Sequence, residues 1–209
     1  GGIGLTYLEH GFKNISDSKH PIAKWEDVQG LKIRVTQTPS LVDAFNAISA
    51  NPVPMSFGEL YPALEQKAID GMESTLVTFA SGKFNEVQKY MSLTQHIYDP
   101  LVLLFSKPVW EKMSEDQRKA VMDAAVAARG VQRQVTRDRE AQVISDLKAR
   151  SVAVTNMSEQ EKGRMREQFK PVVEKYRKIV GLPASYEFFA EVQKARSGVT
   201  AKVAGPVLE

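Results

Sequence analysis

Cysteine is absent from the 209-residue sequence, and no apolar run approaches the roughly 20 residues that span a bilayer. The absence of cysteine excludes disulfides, thiolate metal sites and cysteine nucleophiles. It suits a compartment where free thiols are a liability, such as a bacterial periplasm, although many cytosolic proteins also lack cysteine. The richest apolar run, residues 101–105, stops at Ser106, so we predict no membrane-spanning segment.

A dense basic run is also missing. The 28 Lys and Arg residues stand against 25 Asp and Glu residues, a net charge of +3, and cations alternate with acids. Nucleic acid is therefore not an expected partner. The only histidines are His10, His20 and His96, and their spacing matches no metal-binding motif. The sequence also has no phosphate-binding loop and no G-x-S-x-G motif, so we predict no catalytic residue, metal or cofactor.

The composition is that of a globular protein, and the apolar positions follow strand and helix periods in turn. Alternation over residues 31–35 predicts a half-buried strand whose cationic face carries Lys32 and Arg34. Further strands are predicted over residues 3–8, 52–55, 98–105 and 152–154. A polar loop is predicted over residues 10–20 and a turn over residues 98–100. Alternating strands and helices predict an α/β fold with a mixed or mainly parallel sheet.

Capping signals mark predicted helix starts at Thr38-Pro39, Ser56, Ser114 and Ser158. The capping box at Ser114 is followed by apolar residues at helical spacing as far as Leu147, interrupted only by Gly130. One interior glycine costs about 1 kcal/mol relative to alanine, which is too little to end a helix. We therefore predict a single, unusually long helix over residues 114–150.

Arg34 stands at the carboxyl end of its strand, where open α/β sheets place their ligands. Its planar guanidinium matches a carboxylate with two parallel hydrogen bonds. Most strand cations are nevertheless solvated, and the residues alone favour that simpler interpretation of Arg34. Phe57 lies in a capping segment and can project toward a cleft, whereas Tyr61 lies on an apolar helix stripe and is expected to pack.

Several stretches together resemble the DctP-type solute receptors of tripartite ATP-independent periplasmic (TRAP) transporters. The resemblance rests on order and spacing over residues 7–176, which is more specific than any single motif. Its segments are Gly11-Phe-Lys13, Asp27 to Gly30 with Leu31-Lys-Ile-Arg34, Asn51-Pro-Val-Pro-Met-Ser-Phe-Gly-Glu-Leu-Tyr-Pro-Ala-Leu64, Asp70-Gly-Met-Glu-Ser74, and Glu86-Val-Gln-Lys-Tyr90 with His96.

The resemblance implies a periplasmic-binding-protein-like fold of two lobes that closes on a small organic acid. It implies that Arg34 clamps the ligand carboxylate and that Phe57 lines the pocket. Lys13 stands where the family often has a second arginine, so the charge is kept but the bidentate fork is lost. Ser74 replaces an asparagine that reaches the ligand, and with Glu73 it completes the predicted substrate-binding set.

The resemblance also implies a domain division and partners. Residues 1–96 are expected to form mainly lobe two, and residues 97–209 the remainder of lobe one with a long bridging helix and C-terminal helices. By this resemblance, the chain is expected to correspond to the C-terminal two-thirds of such a receptor, without its N-terminal portion. The implied partners are a carboxylate ligand and the small and large membrane subunits, in the periplasm. A dimer or a strand-exchanged assembly is a further expectation for such a chain.

Two other functions remain open from the residues alone. One is an α/β enzyme fragment that holds an anionic substrate with Arg34 and uses Glu73 or Asp70 as a base. The other is a sensory ligand-binding domain attached to a regulator. A receptor and an enzyme are distinguished by whether a bound acid is consumed.

Overall fold

Strands and helices alternate along the chain in a computed structural model that describes residues 1–203. The last six residues of the predicted second domain lie outside the described part. The strands are β1 (Gly2–Asp17), β2 (Lys32–Val35), β3 (Asn51–Pro54), β4 (Gly71–Thr75), β5 (Tyr90–Ser106) and β6 (Ala153–Asn156). The α-helices are α1 (Pro39–Ala47), α2 (Phe57–Glu65), α3 (Leu76–Ser81), α4 (Lys107–Lys112), α5 (Glu115–Ala149), α6 (Glu159–Val180) and α7 (Leu182–Val203). Short 3-10 turns cover Trp25–Val28 and Phe84–Glu86.

The six strands form one sheet in the order β3-β2-β4-β1-β5-β6. β2 runs parallel to β3 and β4, whereas β1 runs antiparallel to both β4 and β5. β6 lies parallel to β5 at the edge of the sheet. The sheet is therefore mixed, as the sequence pattern predicts for an α/β fold.

The predicted loop over residues 10–20 and the predicted turn over residues 98–100 are wrong. β1 continues to Asp17 and β5 begins at Tyr90, because the polar half of β1 pairs with strands on both of its sides. Pro100 lies inside β5, opposite Glu9 and next to a register shift between Glu9 and Gly11. Proline is tolerated in a sheet at such irregularities because a ladder hydrogen bond is already missing there.

The predicted helix starts agree with the structure more closely than the predicted strand ends do. Pro39 is the first residue of α1, and the capping boxes at Ser56 and Ser114 are both formed. The predicted long helix is the single helix α5, which runs through Gly130 without a break. A capping box and a long apolar period are local signals, so distant residues do not need to be known for their prediction.

Gly130 offers a test of how α5 is stabilised. A Cβ atom at this position would meet nothing within 4 Å, and the position is interior to the helix. We expect Gly130→Ala to raise the free energy of unfolding by about 1 kcal/mol, because alanine loses less backbone entropy in a helix. Chemical denaturation measures the change.

Gly71→Ala is the control with the opposite expected effect. A Cβ atom at position 71 would overlap the backbone oxygen of Ser16 across the β1–β4 pair. That variant should lose stability. A stability loss in Gly130→Ala as well would show that α5 is not a regular helix at that point.

The described chain divides into two compact units, Gly1–Gln168 and a second that begins at Phe169. In the first unit, helices α2, α3 and α5 cover the sheet, and the buried side chains between them make the main hydrophobic cluster. Its members are Leu60, Leu64, Ile69, Met72, Leu76, Phe79, Phe84, Met91, Leu93, Val143, Leu147 and Val152. This packing supports β4, the strand that carries the predicted site residues Glu73 and Ser74.

In the second unit, Gly181 follows the last residue of helix α6, with a φ of 103° that favours glycine. The guanidinium of Arg177 then lies over the rings of Tyr186 and Phe189, 4.7 and 5.1 Å from their centroids. Within residues 1–203, no helix is both long enough and apolar enough to cross a membrane.

Candidate functional site

All five predicted substrate-binding residues line one cavity of about 190 Å³. Lys13 lies on β1, Arg34 on β2, Phe57 is the first residue of α2, and Glu73 and Ser74 lie on β4. β4 lies between β1 and β2 in the sheet, so residues far apart in the sequence meet at this point. The structure brings the set together, and their role in binding substrate stays a prediction.

Arg34 is buried at the end of β2, with only 5% of its surface exposed. The interpretation of Arg34 as a solvated residue on a cationic strand face is therefore wrong, although Lys32 on the same strand is exposed. Arg34 Nε and Nη2 donate hydrogen bonds to the carbonyl oxygen of Met55 at 3.0 and 2.8 Å. Burial lowers the pKa of Arg34, and the nearby charge of Glu73 opposes that shift. The Met55 carbonyl thus holds the guanidinium in one orientation at the cavity.

Glu73 and Lys13 form a buried ion pair in the cavity wall. The Lys13 ammonium lies 2.9 Å from Glu73 Oε2, and the two side chains are 12% and 0% exposed. Burial raises the pKa of Glu73, whereas the charges of Lys13 and Arg34 and the backbone N–H of Thr36 oppose the rise. Lys13 is therefore shared between the cavity and a carboxylate of the protein itself.

His10 and Asp99 also line the cavity, although no sequence pattern predicts them there. His10 Nδ1 lies 3.0 Å from Asp99 Oδ2, and His10 Nε2 lies 2.9 Å from the Thr78 hydroxyl. Asp99 Oδ2 is also 4.0 Å from the Lys13 ammonium. His10 and Lys13 are three residues apart, so strict alternation would place them on opposite faces of β1.

Gly11 explains how both side chains reach the same cavity. It has a φ of 103°, and it lies at a register shift in the pairing of β1 with β5. A bulge of this kind inserts one extra residue and reverses the alternation beyond it. Gly11 was the only signal in the sequence that could have placed His10 beside Lys13.

Ser74 and Phe57 give the cavity a polar and an apolar wall. The Ser74 hydroxyl is buried and has no hydrogen-bond partner among the described residues. The Phe57 side chain is 53% exposed, and its ring packs edge to face on Phe84 with centroids 5.8 Å apart. A buried hydroxyl without a partner is unfavourable, so a ligand that bonds to Ser74 would gain from it.

Asp70, the alternative base of the enzyme hypothesis, does not line this cavity. Its carboxylate accepts a hydrogen bond from the Lys32 backbone N–H and pairs with the Lys19 ammonium, each at 2.8 Å. These partners lower the pKa of Asp70 against the effect of burial. Asp70 is thus held as an ionised structural group.

His96 lies next to the cavity rather than in its wall. Its Nδ1 is 2.8 Å from the Thr94 hydroxyl, and its ring meets Phe45 edge to face at 5.6 Å. Burial lowers the pKa of His96 to about 3, so the imidazole is neutral at physiological pH. Within the described residues, no group of three or more His, Asp or Glu side chains is arranged to hold a metal ion.

Comparison with known proteins shows the family of the chain. The family model described as bacterial extracellular solute-binding protein, family 7 (DctP), matches residues 1–179. The 2,3-diketo-L-gulonate-binding periplasmic protein YiaO of Escherichia coli is 35% identical over 150 residues, which cover 72% of this chain and 46% of YiaO.

Solved structures match over more of the chain. A TRAP periplasmic solute binding protein from Ochrobactrum anthropi superposes with a TM-score of 0.88 at 39% identity, covering 99% of this chain and 64% of that one. The sugar acid binding protein DctPAm from Advenella mimigardefordensis, solved in complex with galactonate, gives a TM-score of 0.87 at 37% identity, covering 93% and 63%.

The chain spans about half the length of the curated relative, with a 46% share of YiaO. YiaO and these two solved structures are named as binding proteins. The two structures confirm the predicted periplasmic-binding-protein fold class over the matched residues. Because the family model matches residues 1–179 of 209, the chain belongs to the bacterial extracellular solute-binding proteins of family 7, the DctP family.

Proposed function

We propose that this chain forms the ligand-binding part of a periplasmic receptor that binds a small organic acid and delivers it to the small and large membrane subunits of a TRAP transporter. The observation that carries the proposal is the convergence of Arg34, Lys13, Ser74, Glu73 and Phe57 on one cavity. Family membership supports the same role, because these proteins are extracellular solute-binding proteins.

The cavity suits a compact carboxylate with a short apolar or hydroxylated body. Arg34 is buried and oriented, and its hydrogen bonds to Met55 use Nε and Nη2. A carboxylate near Nη1 would gain a charge-assisted hydrogen bond in a partly dry site. Ser74 can bond to a ligand hydroxyl, and Phe57 can cover an apolar edge. The acids named for YiaO and DctPAm, 2,3-diketo-L-gulonate and galactonate, each carry a carboxylate and several hydroxyl groups.

The division into lobes is part of this proposal. In it, residues 1–96 belong mainly to lobe two and residues 97–209 to lobe one, with α5 connecting them. The half of β5 beyond Pro100 supports a further packing partner, since Leu104 and the neighbouring Tyr7 of β1 are 63% and 62% exposed. Another part of the receptor or a second copy of the chain would bury these side chains.

A thermal-shift screen of the purified protein tests the binding proposal. Galactonate, other sugar acids and small dicarboxylates should raise the melting temperature, because a ligand that binds only the folded state stabilises it. The shift should persist with a chelator present, and the acid should be recovered unchanged after incubation. Neutral sugars and amines serve as controls. Stabilisation by those controls alone, or only with added metal, would contradict the proposal.

A further inference from the structure

We propose that an organic acid binds this cavity together with a proton, and that Glu73 takes up that proton. The inference rests on the proposed function and adds to it how the site balances the charge of its ligand. It follows from the ionisable groups that the structure gathers around the cavity.

The cavity contains two cations and two carboxylates. Lys13 lies 2.9 Å from Glu73 and 4.0 Å from Asp99, so its charge is already compensated twice. Arg34 is buried beside the same carboxylate of Glu73 and interacts with it electrostatically. The two cations Lys13 and Arg34 are thus matched by the two carboxylates Glu73 and Asp99, so they offer no surplus positive charge to an anion. A bound carboxylate would leave one uncompensated negative charge in a largely buried place.

Groups on the other elements packed around the cavity add no positive charge. Glu140 of α5 approaches Gly11 closely and interacts with His10, which adds negative rather than positive charge. His96 lies near Lys13, but its burial keeps it neutral. Thr36 contributes a backbone N–H and no charge. A proton is therefore the simplest source of the missing positive charge.

Glu73 is the carboxylate best placed to take up the proton. Its side chain is fully buried, and its nearest charged partner is the Lys13 ammonium at 2.9 Å. Asp99, by contrast, is 33% exposed and bonded to His10. Burial already raises the pKa of Glu73, and a second carboxylate at Lys13 would raise it further through like-charge repulsion. Protonated Glu73 would then release Lys13 to the ligand and could itself donate a hydrogen bond.

Calorimetry with galactonate as the probe tests the proposal at about pH 7, in phosphate and in Tris buffer. Proton uptake makes the measured enthalpy differ between buffers of different ionisation enthalpy. We expect uptake approaching one proton per galactonate, and an affinity that rises by up to about tenfold for each unit by which the pH falls. In Glu73→Gln, the enthalpies in the two buffers should agree and the affinity should no longer depend on pH.

Matched variants distinguish Glu73 from the other titratable groups. Proton uptake should persist in His10→Gln and in Asp99→Asn. Uptake that persists in Glu73→Gln but disappears in either of those variants would overturn the assignment to Glu73. If Glu73→Gln does not fold, carboxyl-carbon NMR of the unaltered protein follows the same group directly, and Glu73 should become protonated as galactonate is added.

The outcomes separate this inference from the proposed function. Galactonate binding with equal enthalpies in both buffers, at an affinity independent of pH, overturns proton uptake and leaves acid binding in place. If neither galactonate nor any other acid of the thermal-shift screen binds, both proposals fail.

Discussion

Arg34→Ala should weaken the binding of organic acids by about 30-fold to several thousand-fold, which corresponds to about 2–5 kcal/mol. Arg34 is the buried cation of the cavity, and the Met55 carbonyl holds its guanidinium in place. Truncation removes both the charge and the oriented donors. Calorimetry with galactonate measures the loss, and circular dichroism establishes that the variant is folded.

Two further variants separate the role of Arg34 from general electrostatics. Arg34→Lys keeps a charge but lacks the planar fork, and a lysine cannot both bond to Met55 and present a second donor in the same plane. It should therefore weaken binding strongly as well. Lys32→Ala removes an exposed cation two residues earlier on the same strand and should change affinity little. Equal effects at positions 32 and 34, or unchanged affinity in Arg34→Ala, would contradict the carboxylate contact.

Lys13→Met should lower the free energy of unfolding by about 3–5 kcal/mol near neutral pH, because it leaves the carboxylate of Glu73 buried without its nearest cation. Methionine fills a similar volume, so the effect reports charge rather than packing. Chemical denaturation at several pH values measures it.

The pH dependence of Lys13→Met identifies Glu73 as the cause. Loss of Lys13 raises the pKa of Glu73 further in the folded state, so the folded state holds a proton that the unfolded state has released. Stability then falls as pH rises through the folded pKa and recovers as pH falls below it, and the deficit of Lys13→Met should shrink in acid. Lys19→Met is the control, since Lys19 is 54% exposed beside Asp70 and such pairs contribute less than about 1 kcal/mol. A deficit independent of pH would assign the loss to packing instead.

The fold could be predicted where its signals are local. The capping box at Ser114 and the helical period beyond it lie within one segment, and they were enough to predict α5 through Gly130. The polar half of β1 could not be predicted in the same way. Asn14 and Ser16 are buried there because Asn14 accepts from the Gln95 backbone N–H and Ser16 donates to Gln88, partners about 70 to 80 residues away. Without those partners, the same polar residues indicate a loop.

The candidate site could likewise be predicted only where its signals are local. Arg34 could be placed at a strand end from alternation alone, but its burial depends on β3 and β4, which flank β2 in the sheet. The motif resemblance supplied Lys13, Phe57, Glu73 and Ser74, and the structure places them around one cavity. His10 was missed because the bulge at Gly11 changes which face of β1 it occupies. The alternation of residues along a strand does not show where such an extra residue is inserted.

The position of β1 between β4 and β5 has a consequence for how the chain folds during synthesis. β1 is made before its two partners, which lie about 50 to 100 residues later, whereas β2 and β3 pair across only about 20 residues. At about 5–20 residues per second, a ribosome completes β5 roughly 5–20 seconds after β1. Pairings between distant segments also form slowly once the chain is complete. We therefore expect β2, β3 and β4 to associate first, and the insertion of β1 to be the slow step that completes the sheet and assembles the cavity around Lys13.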